Sequence, residues 1–105
     1  MSAYQEFVDY LLDGEVVESI VFGDYGYIEP NPPLIPEEKR GICMSLDEAE
    51  PLMKNWNIYG GFGCAECYAL YAWTNLRIIF IKEYDGSTAL EGIFRFPSDS
   101  KPTLI

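Results

Sequence analysis

Apolar side chains recur at spacings of three and four over residues 4–13, where Tyr4, Phe7, Val8, Leu11 and Leu12 make one stripe. That periodicity predicts an amphipathic helix. Glu6, Asp9 and Asp13 fall on its opposite face, with Ser2 placed to cap it and Gly14 to stop it. Residues 15–22 carry two signals. Val16, Val17, Ile20 and Val21 have helical spacing, whereas their β-branched character suits a strand. The adjacent polar pair Glu18-Ser19 breaks strict alternation, so the pattern favours a helix here.

Seven glycines and prolines from Gly23 to Gly41 punctuate a nineteen-residue loop, in which Tyr25, Tyr27 and Ile28 suggest that part of it packs down. Loops of that length tend to be functional or mobile. Residues 42–44 suit a short strand. Ser45 and Glu48 have the spacing of a capping box, and Leu46, Ala49, Leu52, Met53 and Trp56 continue as a helical stripe. Pro51 conflicts with that helix because it has no amide to donate, so the helix either kinks there or starts its regular part near Asp47-Glu48. Asn57 and Gly60-Gly61-Phe62-Gly63 end it.

Period two governs the last third. Tyr68, Leu70 and Ala72 alternate with Ala69, Tyr71 and Trp73. Residues 76–84 place Ile78 and Phe80 on one face and Ile79 and Ile81 on the other, a strand apolar on both sides. Asp85-Gly86 is a hairpin turn signal, and Gly86 is expected at positive φ. Residues 88–96 return, and the tail to Ile105 reads as irregular. A two-residue turn sets Phe80 opposite Glu91; a four-residue turn sets it opposite Ile93. Helices first and strands afterwards, without alternation, predict an α+β fold. It is a single domain over residues 1–105, with a small antiparallel sheet of three to four strands in the C-terminal half packed against N-terminal helices.

Charge changes this picture in one respect. The 17 acidic and 7 basic residues, with no histidine, give a net charge of −10. Residues 1–50 hold twelve acids against Lys39 and Arg40, so that half carries the entire excess; residues 51–105 balance five against five. Without histidine, Ser-His-Asp and Cys-His catalysis and imidazole metal sites are excluded. Direct nucleic-acid binding is disfavoured by repulsion from phosphate. The plain reading of the acidic half is a solvated surface; the sharper one is a patch that attracts a basic partner. No apolar run reaches membrane-spanning length, and residues 1–10 lack the pattern of a signal peptide. With three cysteines, an odd number, the expectation is a cytoplasmic protein with no membrane association.

Cys64-Ala65-Glu66-Cys67 is a CxxC, but the strand pattern after it offers no helix N-terminus to acidify a thiol, and Glu66 would raise a neighbouring thiol's pKa. With Cys43 it supplies three thiols for a zinc site that requires four ligands, so Glu66 or a second subunit would have to complete it. Structural thiols are the main reading, and Cys43, Cys64 and Cys67 as metal ligands the weaker one. The chain is therefore expected to fold without cofactor, metal or disulfide; a melting temperature that collapses on adding chelator would contradict this. Gly60-Gly61-Phe62-Gly63 has the make-up of an anion nest but lacks the lysine and Ser/Thr of a phosphate loop.

The preferred binding residues are in the acidic aromatic loop, Asp24, Tyr25, Tyr27 and Glu29, where ring faces beside carboxylates suit a cation. Trp56, Tyr59 and Trp73, with Tyr68 and Tyr71, are candidates for an adjoining pocket, although aromatics at these spacings also serve as core.

Ile20-Val21-Phe22-Gly23, Gly60 to Ala69, Trp73-Thr74-Asn75 and Tyr84 to Thr88 followed by Arg95 and Pro97 together resemble a group of small uncharacterised bacterial proteins, of the kind found among hypothetical genes and mobile gene cassettes. The group has tryptophans where this chain has Tyr25 and Tyr27, and a basic-proline ending that Phe96 interrupts. The resemblance implies no activity; it draws attention to the glycine-cysteine segment and the hairpin. The leading expectation is a non-enzymatic acidic module for a basic protein surface or a cationic small molecule, a class that includes DNA-mimicking inhibitors. The alternative is a small ligand-binding protein or enzyme with an aromatic pocket near Gly60–Cys67. The second apolar face of residues 78–81 has to be covered by the proline loop at 23–41 or by a second subunit, and the expectation is a homodimer that buries neutral-half residues and keeps the acidic half outward.

Overall fold

The computed structural model describes residues 1–97, 99, 101 and 102. Helix α1 runs Ala3–Tyr10, capped by the Ser2 hydroxyl, which accepts the Gln5 amide at 3.2 Å. It ends three residues before the predicted limit. Leu11 turns extended, and the Leu12 amide donates to the Glu15 carboxylate at 2.9 Å instead of continuing the helix. Glu6, assigned by periodicity to the polar face, is buried. Its carboxylate accepts the amides of Ile58 at 2.8 Å and Tyr59 at 3.0 Å.

The segment expected to be a second helix is strand β1, Val17–Tyr25. Its apolar alternation is real, with Ile20 and Phe22 buried on the same side. The polar pair that disguised it lies where the register slips, between Val17 opposite Thr74 and Ser19 opposite Trp73. A bulge inserts one residue and restores the pattern beyond it. Met44, in the expected short strand, makes a single bridge to Ile20, with both amide–carbonyl bonds at 2.9 Å.

Helix α2, Leu46–Ala49, begins with the predicted capping box, whose two bonds measure 3.1 and 3.0 Å. At Pro51 the chain tightens into a 3-10 turn over Glu50–Met53. The stripe continues, but the geometry changes where the proline amide is missing.

Strands β2 (Tyr68–Thr74), β3 (Arg77–Tyr84) and β4 (Ser87–Phe94) follow, and the four strands form an antiparallel sheet in the order β1-β2-β3-β4. Three strands come from the C-terminal half; the fourth, at the edge, comes from residues 17–25. The hairpin adopts the two-residue register, with Tyr84 opposite Ser87 and Phe80 opposite Glu91. Lys82 reaches Glu91 diagonally at 3.2 Å. The turn takes Asp85 at φ 50° and Gly86 at φ 81°, which matches the twist of the strands it joins. The tail beyond Pro97, expected to be irregular, lies in part outside the described residues.

One buried cluster combines Ala3 and Phe7 of α1, Ala49, Met53 and Trp56 of the middle segment, and the inward residues Ile20, Phe22, Tyr68, Leu70, Ala72, Ile79 and Leu90 of the sheet. At its edge the Glu15 carboxylate, with no exposed side-chain surface, receives Arg77 at 2.7 and 3.0 Å and the Thr74 hydroxyl at 2.6 Å. The Arg77 guanidinium lies 4.6 Å from the Tyr10 ring centre and also donates to the Tyr10 carbonyl. A residue from the acidic half is thereby fixed to the neutral half 62 positions away. Arg95 does the same for Glu18 at 2.6 Å. Part of the charge segregation along the chain is therefore cancelled in space.

Candidate functional site

The acidic aromatic loop already holds a cation of its own. Arg40 donates to Asp24 at 3.2 Å, to Glu29 and to the Ile35 carbonyl, with its guanidinium 5.2 Å from the centre of the Tyr68 ring. The Tyr68 hydroxyl donates to Glu29 at 2.7 Å and accepts the Leu34 and Ile35 amides. Burial, followed by that bond to Glu29, pushes the hydroxyl's pKa up and keeps it a donor. The chemistry inferred for Asp24 and Glu29 thus fits a guanidinium on an aromatic face. Here it ties the loop down through an arginine that sequence reasoning did not single out. Ile35, fully buried, anchors the same loop.

A second group of the predicted residues converges on open space. Tyr25, Trp56 and Tyr59 line a cleft of about 300 Å³ together with Asn55, Asn57 and Glu66, and Gly60-Gly61 form part of its wall. Each element has a distinct reason to be there. The end of β1 brings Tyr25, whose ring stands edge-on to Tyr68 at 5.0 Å. Trp56 packs edge-on to Tyr68 at 5.2 Å, its indole N–H is taken by the Leu52 carbonyl at 2.7 Å, and it is only 5% exposed. Tyr59 is positioned by the Glu6 carboxylate, which holds its amide. Gly60 is fixed by pairing with Thr88 of β4, whose amide donates to the Gly60 carbonyl at 2.8 Å and whose hydroxyl donates to the Ile58 carbonyl at 2.6 Å. Burial, with smaller contributions from nearby groups that include Glu66 at Tyr25, pushes the pKa values of Tyr25 and Tyr59 up, so both rings are neutral at pH 7. Glu66 is exposed and makes no ion pair among the described residues. The cleft is therefore mostly polar, with two amide side chains, one carboxylate and backbone groups, and a smaller apolar share from Tyr25, Tyr59 and the nearly buried Trp56.

The remaining candidates lie elsewhere. Tyr27 is exposed, beside a separate hollow lined by Gly26, Gly63, Cys64, Ala65 and Glu83. Trp73 lies on the outward face of the sheet, edge-on to Tyr71 at 6.2 Å. Sequence reasoning treated Glu66 as a neighbour of the thiols and a possible fourth zinc ligand, not as a binding residue, and did not select Asn55 or Asn57. The one signal in the sequence was a carboxylate close to the glycine-aromatic segment; that it is unpaired is visible only in the structure.

The three cysteines are free: Cys43 exposed, Cys64 half-buried and Cys67 buried. Burial pushes the Cys67 thiol up, with the Thr88 hydrogen bond opposing it only in part, so it is a poor nucleophile near neutral pH. Among the described residues no group of three or more Cys, Asp or Glu side chains is placed to hold a metal ion, and no helix is long and apolar enough to cross a membrane. No protein-family model, curated protein or solved structure matches the chain.

Proposed function

We propose that this chain is a binding module that takes a single organic cation, an ammonium or guanidinium group, into the cleft between Tyr25, Trp56, Tyr59 and Glu66. The observation that carries this reading is the convergence, from separate stretches of the chain, of three aromatic side chains and an unpaired carboxylate on one opening. Neutral aromatic faces attract a cation through their quadrupole, and a carboxylate beside them adds charge and a hydrogen-bond acceptor. The chain uses the same combination internally, with Arg40 on Tyr68 and Glu29 and with Arg77 on Tyr10 and Glu15. The net charge of −10 favours the approach of cations from solution. A cleft of about 300 Å³ is at the small end of ligand sites, suited to one amine or one basic side chain. It contains no nucleophile paired with a base, so uptake rather than turnover is the function it supports.

The cation could be a free small amine or the Arg or Lys side chain of a basic protein, and calorimetry separates the two. Agmatine serves as the free amine and a Gly-Gly-Arg-Gly-Gly peptide as the presented side chain. At least one is expected to bind, with affinity falling severalfold between about 50 and 500 mM salt and roughly tenfold in Glu66→Gln, whose carboxylate is exposed and whose loss leaves the fold intact. The tighter probe identifies the source. Binding of neither probe, or binding unchanged by both salt and Glu66→Gln, would contradict the proposal.

A further inference from the structure

The outward face of the sheet is largely apolar and carries no net charge, since the two charged side chains that stand on it, Lys82 and Glu91, pair with each other at 3.2 Å. Tyr71, Trp73, Ile78, Phe80 and Ile93 occupy it in register, Tyr71 opposite Phe80 and Trp73 opposite Ile78, which in turn faces Ile93. Tyr71 is 58% exposed and Ile93 54%, whereas the inward residues of the same strands belong to the buried cluster. The long proline loop leaves Tyr71 and Ile93 exposed: it touches this face only at its end, where Gly41 walls the groove and donates to the Phe22 carbonyl at 2.8 Å, while its anchor, Ile35, donates to the hydroxyl of the inward-facing Tyr68. A groove of about 450 Å³ crosses the face between Val21, Tyr71 and Phe80, over the small residues Gly23 and Ala69. The charges on it and beside it are paired, Lys82 with Glu91 and Arg95 with Glu18.

We infer that this face binds a second copy of the same chain, outward face to outward face about a two-fold axis. Charge selects the occupant. A basic partner would gain little here, because this face has no unpaired negative charge to offer it, and would be drawn to the acidic surfaces instead. Two chains of net charge −10 repel least where each carries no net charge and is largely apolar, as this face is. The area is modest. Four strands at about 4.8 Å spacing and seven residues of about 3.3 Å each span roughly 450 Å², of which the part away from Lys82 and Glu91 is apolar. Two such faces reach only the lower range of specific interfaces, so the dimer is a reversible one with a micromolar dissociation constant. The Tyr71 ring, standing out beside the groove, is the side chain placed to enter the groove of the other copy.

The test is sedimentation of the full chain across a concentration series. The expected result is a 12.0 kDa species at low micromolar concentration that doubles in mass as concentration rises. Ile93→Lys and Tyr71→Glu, both at exposed positions, are expected to weaken association at least tenfold with unchanged far-UV circular dichroism. Raising the salt strengthens association because it screens like-charged copies, the opposite of its effect on cation uptake in the cleft, so the two proposals fail independently. Amide shifts of the wild-type chain on dilution should be confined to β1–β4 and centred on Tyr71, a readout that needs no variant. A monomer at millimolar concentration overturns the inference, as does a dimer that either substitution leaves intact or whose dilution shifts lie away from this face.

Discussion

Arg77→Met is expected to destabilise the chain by about 3–5 kcal/mol in urea titration, which for a domain of this size approaches its whole stability. The substitution retains most of the side chain's carbon but leaves the Glu15 carboxylate, wholly enclosed, with only the Leu12 amide and the Thr74 hydroxyl. Replacing both members, Glu15→Leu with Arg77→Met, is expected to recover much of the loss, because the buried charge disappears with its partner. Acid reads the same contact. Burial alone would raise the Glu15 carboxyl, but Arg77, the Leu12 amide and the Thr74 hydroxyl together outweigh it and hold the carboxyl at about 2, against an ordinary 4.5. A lowered carboxyl contributes stability that is complete above its unfolded value and is lost as pH falls towards its folded one. The wild-type chain should therefore lose about 3 kcal/mol through this group between roughly pH 5 and 2, and Glu15→Gln should lack that component. Equal slopes for the two proteins in that window would show that the pair does not hold the fold.

Gly86→Val should cost about 3–5 kcal/mol, more than its backbone conformation alone would demand. At φ 81° any side chain is strained, and here there is also no room: a Cβ would lie 2.1 Å from the Cys64 amide nitrogen. The opposing glycine is equally tight, since a Cβ on Gly61 would lie 2.1 Å from the Gly86 carbonyl oxygen. The hairpin tip and the Gly60–Cys64 segment thus meet backbone to backbone, and Gly63 donates to the Asp85 carbonyl at 3.3 Å. Gly14→Val is the control. It has nearly the same φ, 76°, with nothing near its missing Cβ, and should cost only about 1–2 kcal/mol. Equal losses at the two sites would leave strain as the sole cause and remove the contact. Because Gly60 and Gly61 also wall the cleft, Gly86→Val should weaken cation uptake as well.

Legibility in the sequence followed the range of the interactions. The β2 alternation, the Asp85-Gly86 hairpin and the Ser45–Glu48 capping box each depend on neighbours within a few residues, and each was readable. Strand β1 was misread because a bulge at Glu18-Ser19 hides period two from a window that assumes regular strands. The hairpin register stayed open because Lys82 could oppose Glu91 directly or reach it along the diagonal, and only the turn decides. The partners of Glu15 and Glu18 were out of reach at 62 and 77 positions. Asp24 and Glu29 looked open for the same kind of reason: no local rule folds Arg40 back onto Tyr68. Of the candidate site, the aromatic members Tyr25, Trp56 and Tyr59 could be selected by type. Their meeting with Glu66 could not, because it depends on β1, the Glu6 anchor and the Gly60–Thr88 bridge acting together.

The most direct test of cation uptake is an amide and indole shift map of the wild-type chain titrated with the better of the two cationic probes at low salt. Saturable shifts are expected at Tyr25, Trp56, Tyr59, Gly60, Gly61 and Glu66, with β3 and the outward face of the sheet unmoved. Shifts centred on Tyr71 and Ile93, shifts scattered over the acidic surface without saturation, or none at all would contradict the account.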